Sequence, residues 1–285
     1  MSRRGWVLFL ALSVIWGLPY LFIKIAVVDL SPSVVVWGRV ALAALLLLPV
    51  AAYRGMLPAL RPYVGWIVVF AAVEIAVPFW MLGWAETRIS SSLAALLVAG
   101  VPIVAAVMAT LLGLDDRLTG MRVVGLLIGV AGVGFLVGLD VRGAQWLAVA
   151  AVGLTVLGYA LGPIIVSTRL VGAPSLAVIA TALLLNAAWY TPVAWVQRPT
   201  GPVPAIAWWA VVVLGVVCTA LAFLVFFALV DEVGPTRMTV ITYLNPAVAV
   251  LLGVVVLGEP LTLGILIGFP LVLLGSWLAT RRPPT

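Results

Sequence analysis

Along most of this chain apolar residues follow one another without alternation, and only short clusters of charge, proline and glycine interrupt them. A run of about 20 apolar residues is what a helix needs to cross the hydrocarbon layer, so the pattern predicts spanning helices rather than amphipathic ones. Ten runs are delimited, roughly 5 to 28, 32 to 53, 63 to 84, 89 to 113, 120 to 139, 143 to 166, 174 to 197, 205 to 230, 235 to 257 and 261 to 280. The expected fold class is an all-α membrane protein of ten transmembrane helices.

The last two runs of each half carry the same marks in the same order. Pro102, Asp115, Leu118, Thr119, Gly125 and Gly132 are answered by Pro246, Glu259, Leu261, Thr262, Gly268 and Gly275. Proline to acid is thirteen residues in both, threonine to glycine six, and glycine to glycine seven. Other landmarks agree: Pro49 closes the second run as Pro192 closes the seventh, and Trp66 is roughly matched by Trp209. The chain thus divides into two five-helix repeats, 1–141 and 142–285, within a single integral membrane domain. Five is odd, so the second repeat lies upside down relative to the first. Inverted repeats of this kind are typical of secondary transporters, whose halves pack in two related ways around a site near the midplane.

Composition bears this out and removes several alternatives. The chain is 65% hydrophobic and 8% charged, with mean hydropathy +1.32, which leaves too little polar surface to cover a soluble domain. The first run is too long for the apolar core of a signal peptide and is expected to be retained as a helix. The sequence pI of about 10.1 comes from basic residues scattered singly over the loops, so no nucleic-acid partner is expected. Membrane topology explains their placement. With the N-terminus inside, the cytoplasmic side holds ten (Arg3, Arg4, Arg54, Arg61, Arg117, Arg122, Arg169, Arg237, Arg281 and Arg282), the outer side three (Arg88, Arg142 and Arg198), and Lys24 and Arg39 fall inside spans. That excess predicts cytoplasmic N- and C-termini in a multi-pass membrane protein.

Cys218 is the only cysteine and there is no histidine, which excludes internal disulfides and histidine-based catalysis or metal binding. There is no G-x-S-x-G, and the Asp115-Asp116 pair is not followed by a second acidic cluster able to hold a metal ion. No enzyme is expected, and no cofactor or metal. No nucleotide-binding loop is present, so ATP would have to come through a partner. The filter loops or charged rings of a channel are not visible either.

The opening of the chain, Trp16-Gly17, then Lys24, Pro32 and Arg39, together with the closing run of each half, resembles the drug/metabolite transporter superfamily in its ten-span EamA-type bacterial members. The likeness covers essentially the whole chain. It implies a ten-helix inverted-repeat bundle of the cell inner (cytoplasmic) membrane that exports amino acids or other small metabolites. A drug or cation efflux carrier, or a nucleotide-sugar or lipid-type carrier, is the alternative within the same superfamily. Asp115 or Asp116 stands where such proteins usually have a glutamate.

Glu74 lies near the centre of the third run, where a charged carboxylate costs about 2.5 to 3.5 kcal/mol or more. Such a group is expected to face a cavity, as a proton-coupling or substrate-binding residue, or else to pair structurally with Arg39 or Lys24. These two cations lie about 12 Å from the centre at about 1.5 Å per residue. Lys24 can snorkel or meet Asp29, whereas the Arg39 guanidinium needs several acceptors and should find Glu74, helix-end carbonyls or a substrate carboxylate. A structural or gating role is assigned to Lys24, Pro19 and Pro78, the prolines because each frees a backbone carbonyl and bends its helix. Trp16, Tyr20, Arg39, Glu74, Trp80, Tyr159, Asn186 and Tyr243 are expected to line a central substrate cavity, apolar with a few polar groups. Trp84, Trp189, Tyr190 and Asn245 are further candidates, while Trp6, Trp66, Trp146, Trp208, Trp209 and Trp277 are read as interfacial anchors. The glycine spacings Gly125/Gly129, Gly134/Gly138 and Gly264/Gly268 permit close helix contact within the bundle. The expected partners are a small-molecule substrate and the lipid bilayer, and the protein is expected to be a monomer or a weak homodimer.

Overall fold

The computed structural model describes residues 2–114, 120–141, 143, 145–233 and 241–280, without the side chains of 140, 233, 242, 243 and 280. Asp115, Asp116, Leu118 and Thr119 lie outside the described residues. Among the described residues ten apolar helical segments lie close to the expected boundaries: α1 Arg3–Ala26, α2 Pro32–Tyr53, α3 Leu57–Glu86, α4 Ser91–Leu111, α5 Gly120–Asp140, α6 Gln145–Arg169, α7 Ser175–Val196, α8 Ala205–Glu232, α9 Ile241–Leu257 and α10 Leu263–Thr280. Eight are long and apolar enough to cross a membrane, and α9 and α10 are shorter apolar helices. Helices satisfy their own backbone groups, which is why lipid accepts them.

Local chemistry sets the ends. Ser2, Ser31 and Ser90 cap α1, α2 and α4, their hydroxyls accepting from the amides of Gly5, Val34 and Leu93 at 2.9, 3.4 and 3.1 Å. Gly113 and Gly258 follow α4 and α9 at φ of 66° and 67°, the left-handed conformation that glycine adopts most readily after a helix. α4 breaks at Ala99–Gly100 and restarts with Pro102 in its first turn.

α3 opens with a 3₁₀ segment over Leu57–Tyr63, and two spans carry a π-helical segment. α3 contains a π-helical segment at Ala71–Ala76, and α8 contains one at Val216–Leu221. A π segment widens the helix by one residue and re-aims the side chains beyond it.

The spans pack in pairs, α5 on α10, α2 on α7, α1 on α9 and α8, and α3 on α6. The α5–α10 seam is closed by glycines. A Cβ on Gly275 would lie 2.3 Å from the Gly129 nitrogen and 2.7 Å from the Gly125 oxygen; one on Gly268 would lie 2.8 Å from the Gly132 oxygen. Pairing of 125 with 275 and of 132 with 268 means that the two helices run antiparallel. Gly134 and Gly138, by contrast, have nothing within 4 Å of a built Cβ, so that expected contact pair is not used.

The core has a polarity of its own. At the far end, opposite the start of the chain, one continuous cluster joins Ala26, Val34, Leu82, Leu96, Val137, Val152, Leu214, Ala249 and Val272 from nine spans. At the near end the packing divides. Leu47, Ile67, Ile165 and Leu183 tie α2, α3, α6 and α7 together, while Phe9, Leu12, Leu229 and Ile241 form a separate cluster of α1, α8 and α9.

Candidate functional site

Arg39 lies 7% exposed on α2, and its Nε donates to Thr219 Oγ1 at 2.8 Å. That hydroxyl donates in turn to the Leu214 carbonyl at 2.7 Å, a bond across the π segment of α8. The guanidinium carbon stands 3.9 Å from the centre of the Phe79 ring on α3. A planar cation is well suited to this arrangement, with one edge hydrogen-bonded and one face on a ring. Arg39 therefore ties three spans together, and Glu74, one of several acceptors expected for it, is not among these partners. Among the described residues the ion pair within 4.0 Å is Arg4 with Glu232, at 3.9 Å.

Tyr20 on α1 and Tyr159 on α6 are within electrostatic reach of Arg39 and of each other. Cys218 on α8 is also within reach of Arg39. Tyr20 directly follows Pro19, and both are buried.

Glu74 belongs to the π segment of α3 and faces α6. Its Oε2 is buried and has no hydrogen-bond partner. The carboxylate fits because α6 offers a notch with no side chain: a Cβ on Gly162 would lie 1.8 Å from Oε2, and one on Gly158 would lie 2.4 Å from the Val73 oxygen and 2.6 Å from Pro78 Cγ. Tyr159, beside Gly158, is within electrostatic reach of Glu74. From the other side α7 holds the segment: Asn186 Nδ2 donates to the Ala71 carbonyl at 3.0 Å, and the Tyr190 hydroxyl donates to that of Ala76 at 2.8 Å. Asn186 is wholly buried and its Oδ1 has no partner. Thr155 on α6 donates to the Pro78 carbonyl at 3.2 Å.

The remaining expected residues spread around this centre. Trp16 lies 5.4 Å from the Phe226 ring on α8, and Phe223, Phe226 and Phe227 pack on one another at 5.3 to 6.4 Å. Trp80 turns toward the far end, donates to Ser33 Oγ at 3.0 Å and stacks on Trp84 at 6.5 Å. Lys24, half-buried, turns its Nζ to the carbonyls of Glu86 and Ile89 at 2.6 and 2.8 Å rather than to Asp29, closing the C-terminal end of α3. Asn245, with its amide nitrogen turned to donate, reaches the Ser13 and Ile241 carbonyls at 3.1 Å. Tyr243 lies on α9 with its side chain outside the described residues. The six tryptophans read as interfacial anchors are all exposed.

Of the expected residues, Tyr20, Arg39 and Tyr159 lie within electrostatic reach of one another and Tyr159 also of Glu74, whereas Thr219, Phe79, the Phe223/Phe226/Phe227 face and Glu86 were not among those expected. The i, i+3, i+4 spacing of the phenylalanines on α8 was a legible signal of a single aromatic face.

Comparison with known proteins agrees with this architecture. The profile of the EamA-like transporter family matches twice, over residues 3–138 and 146–281. An Escherichia coli K12 protein described as the uncharacterized inner membrane transporter YedA is 31% identical over 287 residues, covering 96% of this chain and 92% of its own. An uncharacterized transporter of Archaeoglobus fulgidus is 24% identical over 286 residues, covering 98% and 99%. A crystal structure superimposes with a TM-score of 0.69 over 98% of this chain and 97% of its own, at 20% identity, a likeness of fold alone. With two matches that together span nearly its whole length, this chain belongs to the EamA-like transporter family of multi-span membrane proteins.

Proposed function

We propose that this protein is a secondary carrier of the inner membrane that exports small metabolites, amino acids foremost, by alternating access between two inverted five-helix repeats, 1–141 and 142–285. The observation that carries this reading is the reciprocity of the α5–α10 seam. Gly125 and Gly132 correspond by sequence to Gly268 and Gly275, and the contacts are crossed: Gly125 meets Gly275 and Gly132 meets Gly268. Crossed contacts between equivalent residues are what a two-fold axis between two copies requires. The π segments of α3 and α8 are a second such pair, each reached by a side chain from the companion span, Asn186 of α7 for the first and Arg39 of α2 for the second. The double family match divides the chain at the same place. The excess of basic residues on the N-terminal side favours cytoplasmic termini, and the inner-membrane description of the Escherichia coli relative favours that membrane.

With that orientation the undivided core is the outer end and the divided core the inner end, an inward-facing arrangement. Substrate enters between the two inner clusters and meets Tyr20, Arg39 and Tyr159, which suit a carboxylate, and the rings of Trp16 and Phe226, which suit an apolar side chain. Glu74, an unpartnered carboxyl at mid-span, is the coupling proton site. Pro19, Lys24 and Pro78 take structural or gating roles.

Counterflow of radiolabelled amino acids, purine bases and cationic drugs in proteoliposomes, with and without a pH gradient, tests the proposal. Saturable exchange of an amino acid, stimulated by the gradient and insensitive to it in Glu74→Gln, is the expected result. Exchange of cationic drugs alone would overturn the amino-acid reading, and flux that never saturates would overturn the carrier.

A further inference from the structure

Glu86 is the last residue of α3 and is 0% exposed, yet neither carboxylate oxygen has a hydrogen-bond partner. These orphaned oxygens lie at the far end, where the core is undivided, in the turn that joins α3 to α4. The turn is held from two sides. Lys24 of α1 donates to the carbonyls of Glu86 and Ile89 at 2.6 and 2.8 Å. Glu259, in the α9–α10 loop, accepts from the amides of Ser91 and Ser92 at 2.7 and 2.9 Å and from the Ser92 hydroxyl at 2.5 Å, which places a negative charge at the amino end of α4.

The groups that face Glu86 are few. Lys24 on α1, Arg39 on α2 and Glu259 on the α9–α10 loop are within electrostatic reach, as are Tyr20 on α1 and Tyr159 on α6. Arg88, two residues on, turns away to the Trp84 carbonyl and the Thr87 hydroxyl. Arg39 is already engaged by Thr219 and the Phe79 ring. The local charge is therefore set by two cations, Lys24 and the already engaged Arg39, and two carboxyls, Glu86 and Glu259. Glu259 spends its charge on three donors at the head of α4, whereas Glu86 has none. A buried carboxylate without donors is far costlier than a buried neutral carboxyl. The ammonium that could pair with Glu86 is instead spent on backbone carbonyls.

We propose that Glu86 is a proton-binding site in the outer gate and that Lys24 is its switch. While Glu86 holds a proton, Lys24 rests on the Glu86 and Ile89 carbonyls and keeps the α3–α4 turn closed. When the proton leaves, the Lys24 ammonium moves to the new carboxylate, the two carbonyls lose their donor, and the turn loosens. Glu259 keeps the head of α4 in register in both states. Placing this device at the outer gate rests on the inward-facing reading above; the proton site itself does not.

The test needs no substrate, so a failed transport assay leaves it intact. Infrared difference spectra of the full-length protein in lipid nanodiscs are recorded against pH, alongside amide exchange of residues 87–90. A protonated-carboxyl stretch present at neutral pH, lost in Glu86→Gln and retained in Glu74→Gln, is the expected result. Glu86→Asp, the fallback if the glutamine variant does not fold, should move the band rather than abolish it. Raising the pH should remove the band and speed exchange of the turn in the wild type, while Glu86→Gln stays protected throughout. A neutral-pH spectrum without any Glu86-dependent carboxyl band would overturn the proton site. Loss of the band on adding sodium at constant pH would overturn the proton as the bound ion. Exchange that is indifferent to the loss of the band would overturn the Lys24 switch.

Discussion

The space filled by the Glu74 carboxylate on α3 exists because residue 162 on α6 is glycine: a Cβ there would lie 1.8 Å from Oε2 and 2.6 Å from Cδ. Gly162→Ala forces the carboxyl out of its notch. Overpacking of this kind costs about 1 to 3 kcal/mol, so the melting temperature should fall and pH-driven transport should fall with it. Gly134→Ala, where nothing lies within 4 Å, is the control and should leave both unchanged. Thermal unfolding in detergent and proteoliposome uptake read the two effects separately. A Gly162→Ala protein with wild-type stability and coupling would mean that Glu74 does not need the notch.

Arg39 and Thr219 tie α2 to α8. In Thr219→Val the Nε donor of a buried guanidinium loses its acceptor at 2.8 Å. A buried donor left unsatisfied costs about 1 to 3 kcal/mol. Thr219→Ser keeps the hydroxyl and should recover most of the loss. A double-mutant cycle with Arg39→Met should give a coupling energy of about 0.5 to 3 kcal/mol. Additive losses would show that the bond contributes nothing measurable.

What was legible in the sequence is what one dimension carries. The run 32 to 53 coincides with α2, because length and hydropathy alone decide whether a segment can span. The π segments of α3 and α8 were not legible. They depend on the Gly158/Gly162 notch, on Asn186 and on the Arg39–Thr219 bond, all of which join residues far apart in the chain. Glu86 was hidden by a boundary error: closing the third run at 84 put the carboxyl in a loop, whereas the helix continues through it and buries it. Similarly, glycine spacing announced close contact but could not say which glycines meet a neighbour, since Gly134 and Gly138 have the same spacing as Gly125 and Gly129 and touch nothing.

The α5–α10 seam allows a test of the reciprocity by equivalent substitutions. Gly275→Ala brings a Cβ to 2.3 Å from the Gly129 nitrogen, and Gly132→Ala brings one to 2.7 Å from the Val272 nitrogen. Backbone cannot turn aside as a flexible side chain can. Each substitution should therefore destabilise by about 1 to 3 kcal/mol, and because both open one seam their combined effect should fall short of the sum. Gly138→Ala should have no effect. If Gly275→Ala were damaging and Gly132→Ala silent, the seam would not be the two-fold contact between repeats.

Glu259 gives a pH dependence whose sign follows from its surroundings. Partial burial alone would push its carboxyl up, but hydrogen bonds from the Ser92 hydroxyl and the amides of Ser92 and Ser91 outweigh burial and hold it below the ordinary glutamate range. A group that binds its proton less readily when folded stabilises the fold above its unfolded value of about 4.3 and loses that contribution as pH falls through the lower, folded value. Melting of the wild type should therefore fall on the acid side of pH 4, beyond the loss seen in a Glu259→Gln protein. At neutral pH the glutamine variant should be less stable by about 1 kcal/mol, the usual scale of a helix cap. Ser92→Ala should reproduce part of that loss, since it removes one of the three donors and leaves the two amides in place. A Glu259→Gln protein whose acid melting profile superimposes on that of the wild type would show that the charge is not what holds the head of α4.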